Sequence, residues 1–162
     1  MAGRGGRSLF SLSTLLASFF GAVMIAASFA YFNYKFSEYK FIDFKEWIFY
    51  EKNDIFIPKD EKYIVVFYSS KESGTMQQLA DIELPFPLLA IDYYNEIREN
   101  SKNTTFLRSG TKNSLSFIQR FNIYESPSIF FIKKSKETLY KQDSMIHKLD
   151  NLQELSSKIN NL

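Results

Sequence analysis

The chain begins its patterned part with one unbroken apolar run. From Leu9 to Phe32, "LFSLSTLLASFFGAVMIAASFAYF", there is no charged residue, and none lies between Arg7 and Lys35. About 20 apolar residues are needed for a helix to cross a bilayer, so this run predicts a transmembrane helix over 9–32. A different pattern follows. From Phe36 to Tyr50, aromatic rings alternate with Lys, Glu and Asp. Amphipathic rings favour the headgroup zone, so 33–61 reads as an aromatic juxtamembrane segment, partly helical. An amphipathic helix packed on a globular core is the other reading. Pro58 biases Ile57 toward extended backbone.

Beyond residue 62 the pattern alternates between strand and helix. "YIVVFY", Tyr63–Tyr68, is continuously apolar, as in a strand buried on both faces. "PLLAIDY", from Pro87 to Tyr93, is a second such run. The segment from about Thr75 to Leu84 is long enough for a short helix between them, which predicts a right-handed βαβ unit. "NEIRENSKNTTFLRSG" reads as an insertion or an irregular helix and loop. In "TKNSLSFIQRFNI", Leu115, Ile118 and Phe121 have helical spacing. "SIFFIKK" and "ETLYKQ" predict a hairpin turning at Ser135-Lys136. Leu149, Leu152, Leu155 and Ile159 form the apolar stripe of a closing helix.

Composition narrows the chemistry. The 162 residues are 45% apolar, with Phe 17, Tyr 10 and Trp 1, and a net charge of +2 without a basic stripe. Nucleic acid is therefore not an implied partner. The cysteine count is zero, which removes disulfides, thiolate metal sites and thiol mechanisms from this chain. His147 is the single histidine, beside Asp143, Lys148 and Asp150, and makes no metal set. Asp92 has no carboxylate partner at a recognisable spacing. Gly5-Gly6, the only closely spaced glycines, lie away from any strand, so no phosphate cradle is expected. Asn103-Thr104-Thr105 fits a glycosylation sequon, relevant only in a eukaryotic secretory setting. No cofactor and no metal are implied.

At the N-terminus, Arg4 and Arg7 in the tail 1–8 precede the apolar run. A retained signal anchor fits the length of the run. A cleaved signal peptide, with Ser28-Phe29-Ala30 as a small-x-small site, is the alternative. Basic residues nearly balance across the run, with Lys35, Lys40 and Lys45 on the far side. The short basic tail nevertheless favours the N-terminus inside. The expected location is a single-pass membrane protein with an extracytoplasmic C-terminal domain, on the periplasmic side of a bacterial inner membrane. Within the span, Thr14, Ser18, Ala22, Ala26 and Ala30 recur every four residues. Such a stripe of small side chains lets a partner helix approach closely.

Three local patterns, in order, carry a family resemblance. "VVFYSSKESGT" resembles the strand and active-site turn of the thioredoxin family. "LLAIDYYNE" resembles its next strand, which often ends in Asp. "FNIYESPSIFFIKK" resembles its helix end, cis-proline loop and first hairpin strand, with Pro127 on the proline and Ser126 before it. The resemblance covers about 100 residues, from Lys62 to the end. It implies an α/β fold, a thioredoxin-like three-layer α/β/α sandwich over 62–162 preceded by a single transmembrane helix.

The turn departs from the family in what matters for chemistry. Glu72, Ser73, Gly74 and Thr75 form it, with Glu72 and Thr75 on the two cysteine positions. Neither a carboxylate nor a hydroxyl can perform thiol–disulfide exchange, so no enzyme activity is expected. Glu72 and Ser73 read as ordinary first-turn and capping residues. What the resemblance leaves is a groove for extended polypeptide, framed by Tyr68, Ser70, Lys71, Glu72, Thr75, Ser126 and Pro127. The expected role is an accessory subunit or assembly factor of a membrane or envelope complex, with protein partners and the lipid bilayer as its contacts. A peptide-holding chaperone is the alternative. A glutathione-using transferase, activating the cofactor's thiol through Tyr68, Ser69 or Ser70, is a remoter one, since the usual all-helical domain does not follow.

Overall fold

A computed structural model describes residues 11–38, 40–71, 79, 84–150 and 154–159. The chain separates into two compact units, Met1–Glu38 and Tyr39–Leu162. The first contains helix α1, Leu12–Glu38. Ser11 accepts a hydrogen bond from the Thr14 amide at 3.2 Å, a side-chain N-cap for the helix. The stretch Leu12–Lys35 has a mean hydropathy of 2.0 and is wholly exposed, so α1 is long and apolar enough to cross a membrane. Thr14, Ser18, Ala22, Ala26 and Ala30 lie on this exposed helix. The Ser18 hydroxyl donates to the Thr14 carbonyl at 2.9 Å and Ser28 to Met24 at 2.8 Å. Those polar groups are thus satisfied inside the helix, as an apolar solvent requires. The tail 1–8, with Leu9 and Phe10, lies outside the described residues.

The second unit is α/β, built on one curled mixed sheet of nine strands. The strands are β1 Phe41–Asp43, β2 Tyr50–Glu51, β3 Asp54–Ile55, β4 Lys62–Tyr68, β5 Leu88–Asp92, β6 Thr104–Arg108, β7 Ser128–Lys136, β8 Leu139–Gln142 and β9 His147–Lys148. They run in the order β1-β8-β7-β4-β5-β6-β2-β3, with β9 beside β7. At the centre, β4 is parallel to β5 and antiparallel to β7. Helices α2, Thr111–Phe121, and α3, Leu155–Ile159, complete the described elements.

Period-two alternation divides the core. Tyr63, Val65 and Phe67 join Phe117 and Phe121 of α2 on one face. Ile64, Val66 and Tyr68 join Leu155 and Ile159 of α3 on the other. Both predicted apolar runs are therefore strands buried on both faces, each residue of β5 included. Of the segment from Thr75 to Leu84, Leu79 and Leu84 are described: Leu79 is helical and fully buried on the α3 face, and Leu84 lies outside any helix, packed against the same cluster.

Several expectations are corrected. The insertion "NEIRENSKNTTFLRSG" is irregular only in part: residues 95–103 form no helix or strand, but Thr104–Arg108 form β6, parallel to β5. The aromatic segment 40–61 belongs to the compact unit rather than to a separate collar. It supplies β1 to one end of the sheet and the β2–β3 hairpin to the other. Ile42, Phe44, Phe49 and Phe56 are core residues, and Phe44 meets Phe49, Phe56 and Tyr140 at ring-centroid distances of 5.8, 5.5 and 5.5 Å. Short edge strands that alternate inward rings with outward charges present the same pattern as an interfacial segment. The hairpin turns at Glu137-Thr138, two residues later than expected, because an irregularity between Lys134 and Lys136 extends β7. Along α2 the buried stripe is Ser114, Phe117 and Phe121, with Ile118 partly covered, while Leu115 is 47% exposed. Leu155 and Ile159 are buried on α3, Leu149 is buried but lies before that helix rather than on it, and Leu152 lies outside the described residues.

Three core tyrosines give the unit a pH dependence. Burial raises the hydroxyls of Tyr63, Tyr68 and Tyr140 above their ordinary value of 10.0, with the Asp92 charge adding to the effect at Tyr68. Tyr140 donates to the Asp60 carbonyl at 2.6 Å, and the Tyr63 hydroxyl accepts the Lys59 and Asp60 amides at 2.7 and 2.9 Å. The folded state holds these protons more tightly than the unfolded chain. Their contribution to stability is thus complete below pH 10.0 and is lost as pH rises above it. In alkaline titration of the full chain in detergent, these tyrosines are expected to ionise together with the loss of circular dichroism. Tyr68→Phe should remove one tyrosinate from that cooperative step. Its ionisation well before unfolding would contradict the burial.

Candidate binding groove

The sequence-predicted site lies where β4, β5 and β7 end together. The register pairs Tyr68 with Asp92 across β4–β5 and Phe67 with Ser128 across β4–β7. The loop before β7 is thereby set beside the exit of β4. Its Ser126–Pro127 peptide bond is cis. The Pro127 ring is buried, and its carbonyl accepts the Leu149 amide at 2.9 Å. Upstream, α2 is closed by Asn122 in the left-handed conformation (φ 52°, ψ 49°), and the Ile123 amide returns to the Ile118 carbonyl at 2.9 Å. That reversal delivers Ile123, Tyr124 and Glu125 to the same place.

Asp92 organises the opposite wall. It is 1% exposed, and its carboxylate accepts three backbone amides: Ser70 at 2.9 Å, Tyr94 at 3.1 Å and Glu96 at 2.8 Å. The Tyr93 amide adds a bond to the Tyr68 carbonyl at 2.9 Å. One buried carboxylate thus ties the turn after β4 to the loop after β5. Amide donors are the usual compensation for burying such a charge.

Between these walls is a groove of about 330 Å³. Phe67, Tyr93, Ile118 and Ile123 form its apolar floor, and Tyr94, Tyr124 and Glu125 its rim. Ser69 and Ser126 contribute the remaining polar lining. Phe67 stacks on Phe117 of α2 at 6.1 Å and 23° and meets Tyr93 edge-on at 6.3 Å. Tyr93 and Tyr94 are perpendicular at 5.1 Å. The floor is held by ring packing from below, while Tyr124 is 88% exposed at the rim.

The expected groove residues fall into three groups. Ser126 lines the groove, and its hydroxyl is buried without a hydrogen-bond partner among the described residues. Pro127, Ser70 and Lys71 sit next to it. The Ser70 hydroxyl is also buried and has no hydrogen-bond partner among the described residues, and the Lys71 ammonium lies 4.0 Å from the centroid of the Tyr94 ring. Tyr68 does not belong to the groove: its side chain is 1% exposed and points into the α3 face. In a strand, neighbouring residues face opposite sides, so Phe67 lines the groove instead. Glu72, Ser73, Gly74 and Thr75 lie outside the described residues.

Sequence reasoning missed Phe67, Tyr93, Tyr94, Ile118, Ile123 and Tyr124 as lining, and Asp92 as the anchor. The available signal was the apolar run on either side of Asn122 together with the tyrosine pair after Asp92. His147 sits in β9 opposite Ile129, and among the described residues no cluster of three His, Asp or Glu could hold a metal ion. The chemistry available at the groove is contact: apolar and aromatic burial below, hydroxyl and carboxylate groups at the rim. No family model and no curated protein matches the chain.

Asp92→Ala should leave three backbone amides without their acceptor. Hydrogen bonds to a charged group contribute about 1.5–3 kcal/mol each and are not additive, so a loss of about 3 kcal/mol in denaturant unfolding is expected. Asp92→Asn, which keeps one acceptor oxygen, should lose less. Equal, small losses in both variants would show that the carboxylate does not anchor the two loops.

Proposed function

We propose that this chain is a membrane-anchored, non-catalytic module of thioredoxin-like fold that works by contact. It acts as an accessory subunit or assembly factor of a membrane or envelope complex. Its compact unit is placed on the extracytoplasmic side, the periplasm in a bacterial inner membrane. The observation that carries this reading is the groove beside the Ser126–Pro127 loop, aromatic and partly open, in a chain with no cysteine. The strand arrangement supports the fold assignment. β4 is parallel to β5 and antiparallel to β7, the β7–β8 hairpin follows, and helical residues cover both faces. The departure is β6, which takes the place beside β5 from within the insertion before α2.

Exposed rings over an apolar floor are the kind of surface that carries binding energy at protein contacts. They favour one protein partner held at fixed stoichiometry. The same surface supports a second reading, a holder of extended polypeptide without a fixed partner, because apolar floors and cation- or hydroxyl-bearing rims accept many sequences.

Purification of the full-length chain in mild detergent tests both. A fixed partner at constant stoichiometry is expected. Tyr94→Ala combined with Tyr124→Ala should weaken that complex by at least about tenfold, since truncating one central ring alone costs about 1 kcal/mol or more. Heterogeneous clients lost in the same variant would favour the holder. A lone monomer under gentle conditions would contradict both.

A further inference from the structure

The sheet carries a second feature, far along β4 from the groove. The register pairs Lys62 of β4 with Lys133 of β7, Lys133 with Lys141 of β8, and Lys141 with Phe41 of β1. Directly opposite residues in antiparallel strands share one face. Three ammonium groups and a ring therefore form a row across four neighbouring strands. Lys62 is compensated: Asp143 lies 3.0 Å away, and the rings of Phe131 and Phe86 have centroids 4.4 and 5.3 Å from its ammonium. Lys133 and Lys141 are exposed and have no carboxylate within ion-pair distance among the described residues. The Lys141 ammonium lies 5.8 Å from the centroid of the Phe41 ring. Asp43, on the same face, is engaged by the Thr138 hydroxyl at 2.7 Å and the Lys45 amide at 2.9 Å. Like charges set directly opposite destabilise a sheet, and among the described residues nothing in the unit accounts for this row.

We propose that this face lies on an anionic lipid headgroup layer. The inference rests on the reading of α1 as a membrane anchor. Five residues separate Lys35, the end of the apolar span, from Phe41, and so short a stretch reaches at most about 20 Å. Phe41 is the start of the row, so the row is tethered within reach of headgroups whatever else binds the chain. Anionic surfaces attract clustered lysines within a Debye length. Exposed rings such as Phe86 and snorkelling lysine stems suit the same zone, and Lys40 and Lys45, both exposed, flank β1 with further positive charge. A soluble acidic protein offers the charge but not the tether.

The absence of cysteine makes the test direct. The full chain is reconstituted into vesicles of phosphatidylcholine, with or without phosphatidylglycerol, carrying headgroup nitroxides. A single fluorophore is placed by Pro85→Cys, exposed beside Phe86, or by Lys112→Cys on α2, which packs on the opposite sheet face. Severalfold stronger quenching at position 85 than at 112 is expected in the anionic vesicles. Lys133→Glu with Lys141→Glu should lower the ratio of surface-bound to detached unit by at least about tenfold. Equal quenching at both positions, quenching at 112 alone, or no response to phosphatidylglycerol overturns the inference while leaving the anchor intact. A chain that does not float with the vesicles overturns the anchor and this inference together.

Discussion

The compact unit depends on one strand, Lys62–Tyr68. It is hydrogen-bonded on both edges, to β5 and β7, and buried on both faces, with Tyr63 to Tyr68 each at most 3% exposed. A strand in that position leaves no freedom of register. A slip by one residue exchanges the two faces, and Phe67 and Tyr68 trade places. The groove follows from this constraint. Phe67 reaches its floor because Tyr68 is held in the α3 core. The Ser126–Pro127 loop lies beside it because Phe67 pairs with Ser128. Asp92 completes the wall because it pairs with Tyr68.

The outer strands show how the same sheet is finished. β1 and the β2–β3 hairpin close its two ends with very short strands, which limits the edge open to further pairing. Their cost in backbone order is offset by rings: Phe44, Phe49 and Phe56 enter a continuous aromatic cluster with Tyr63, Tyr140 and Phe117. Aromatic pairs at such distances add to their area burial. The aromatic segment from Lys40 onward is thus part of the globular body, with Lys40, Lys45 and Tyr50 on its exposed side.

Much of this was legible in the sequence, for definable reasons. "YIVVFY" and "LLAI" are apolar without interruption, and at so short a length such runs fit strands buried on both faces. The hairpin and α2 were equally visible, because their periods differ. What was hidden involved choices between equivalent patterns. Leu115 lies three residues before Ile118 and Phe117 four before Phe121, so two helical stripes compete, and the aromatic face of the sheet decides for Phe117. Phe67 and Tyr68 are both aromatic at a strand end, and only the parity of the pairing separates them. "TTFLR" is as long as β5 but mixes threonine and arginine with its apolar residues, and it becomes a strand by pairing with the edge of β5. The row Lys62, Lys133, Lys141 is invisible in one dimension, since its members come from three strands.

Native-state hydrogen exchange on the full chain in detergent tests the central claim most directly. The amides of Ile64 to Phe67 should exchange only through global opening of the unit, with Phe44 and Phe49 opening in the same cooperative event. Faster exchange in β4 than in the edge strands, or independent opening of residues 41–56, would contradict the account.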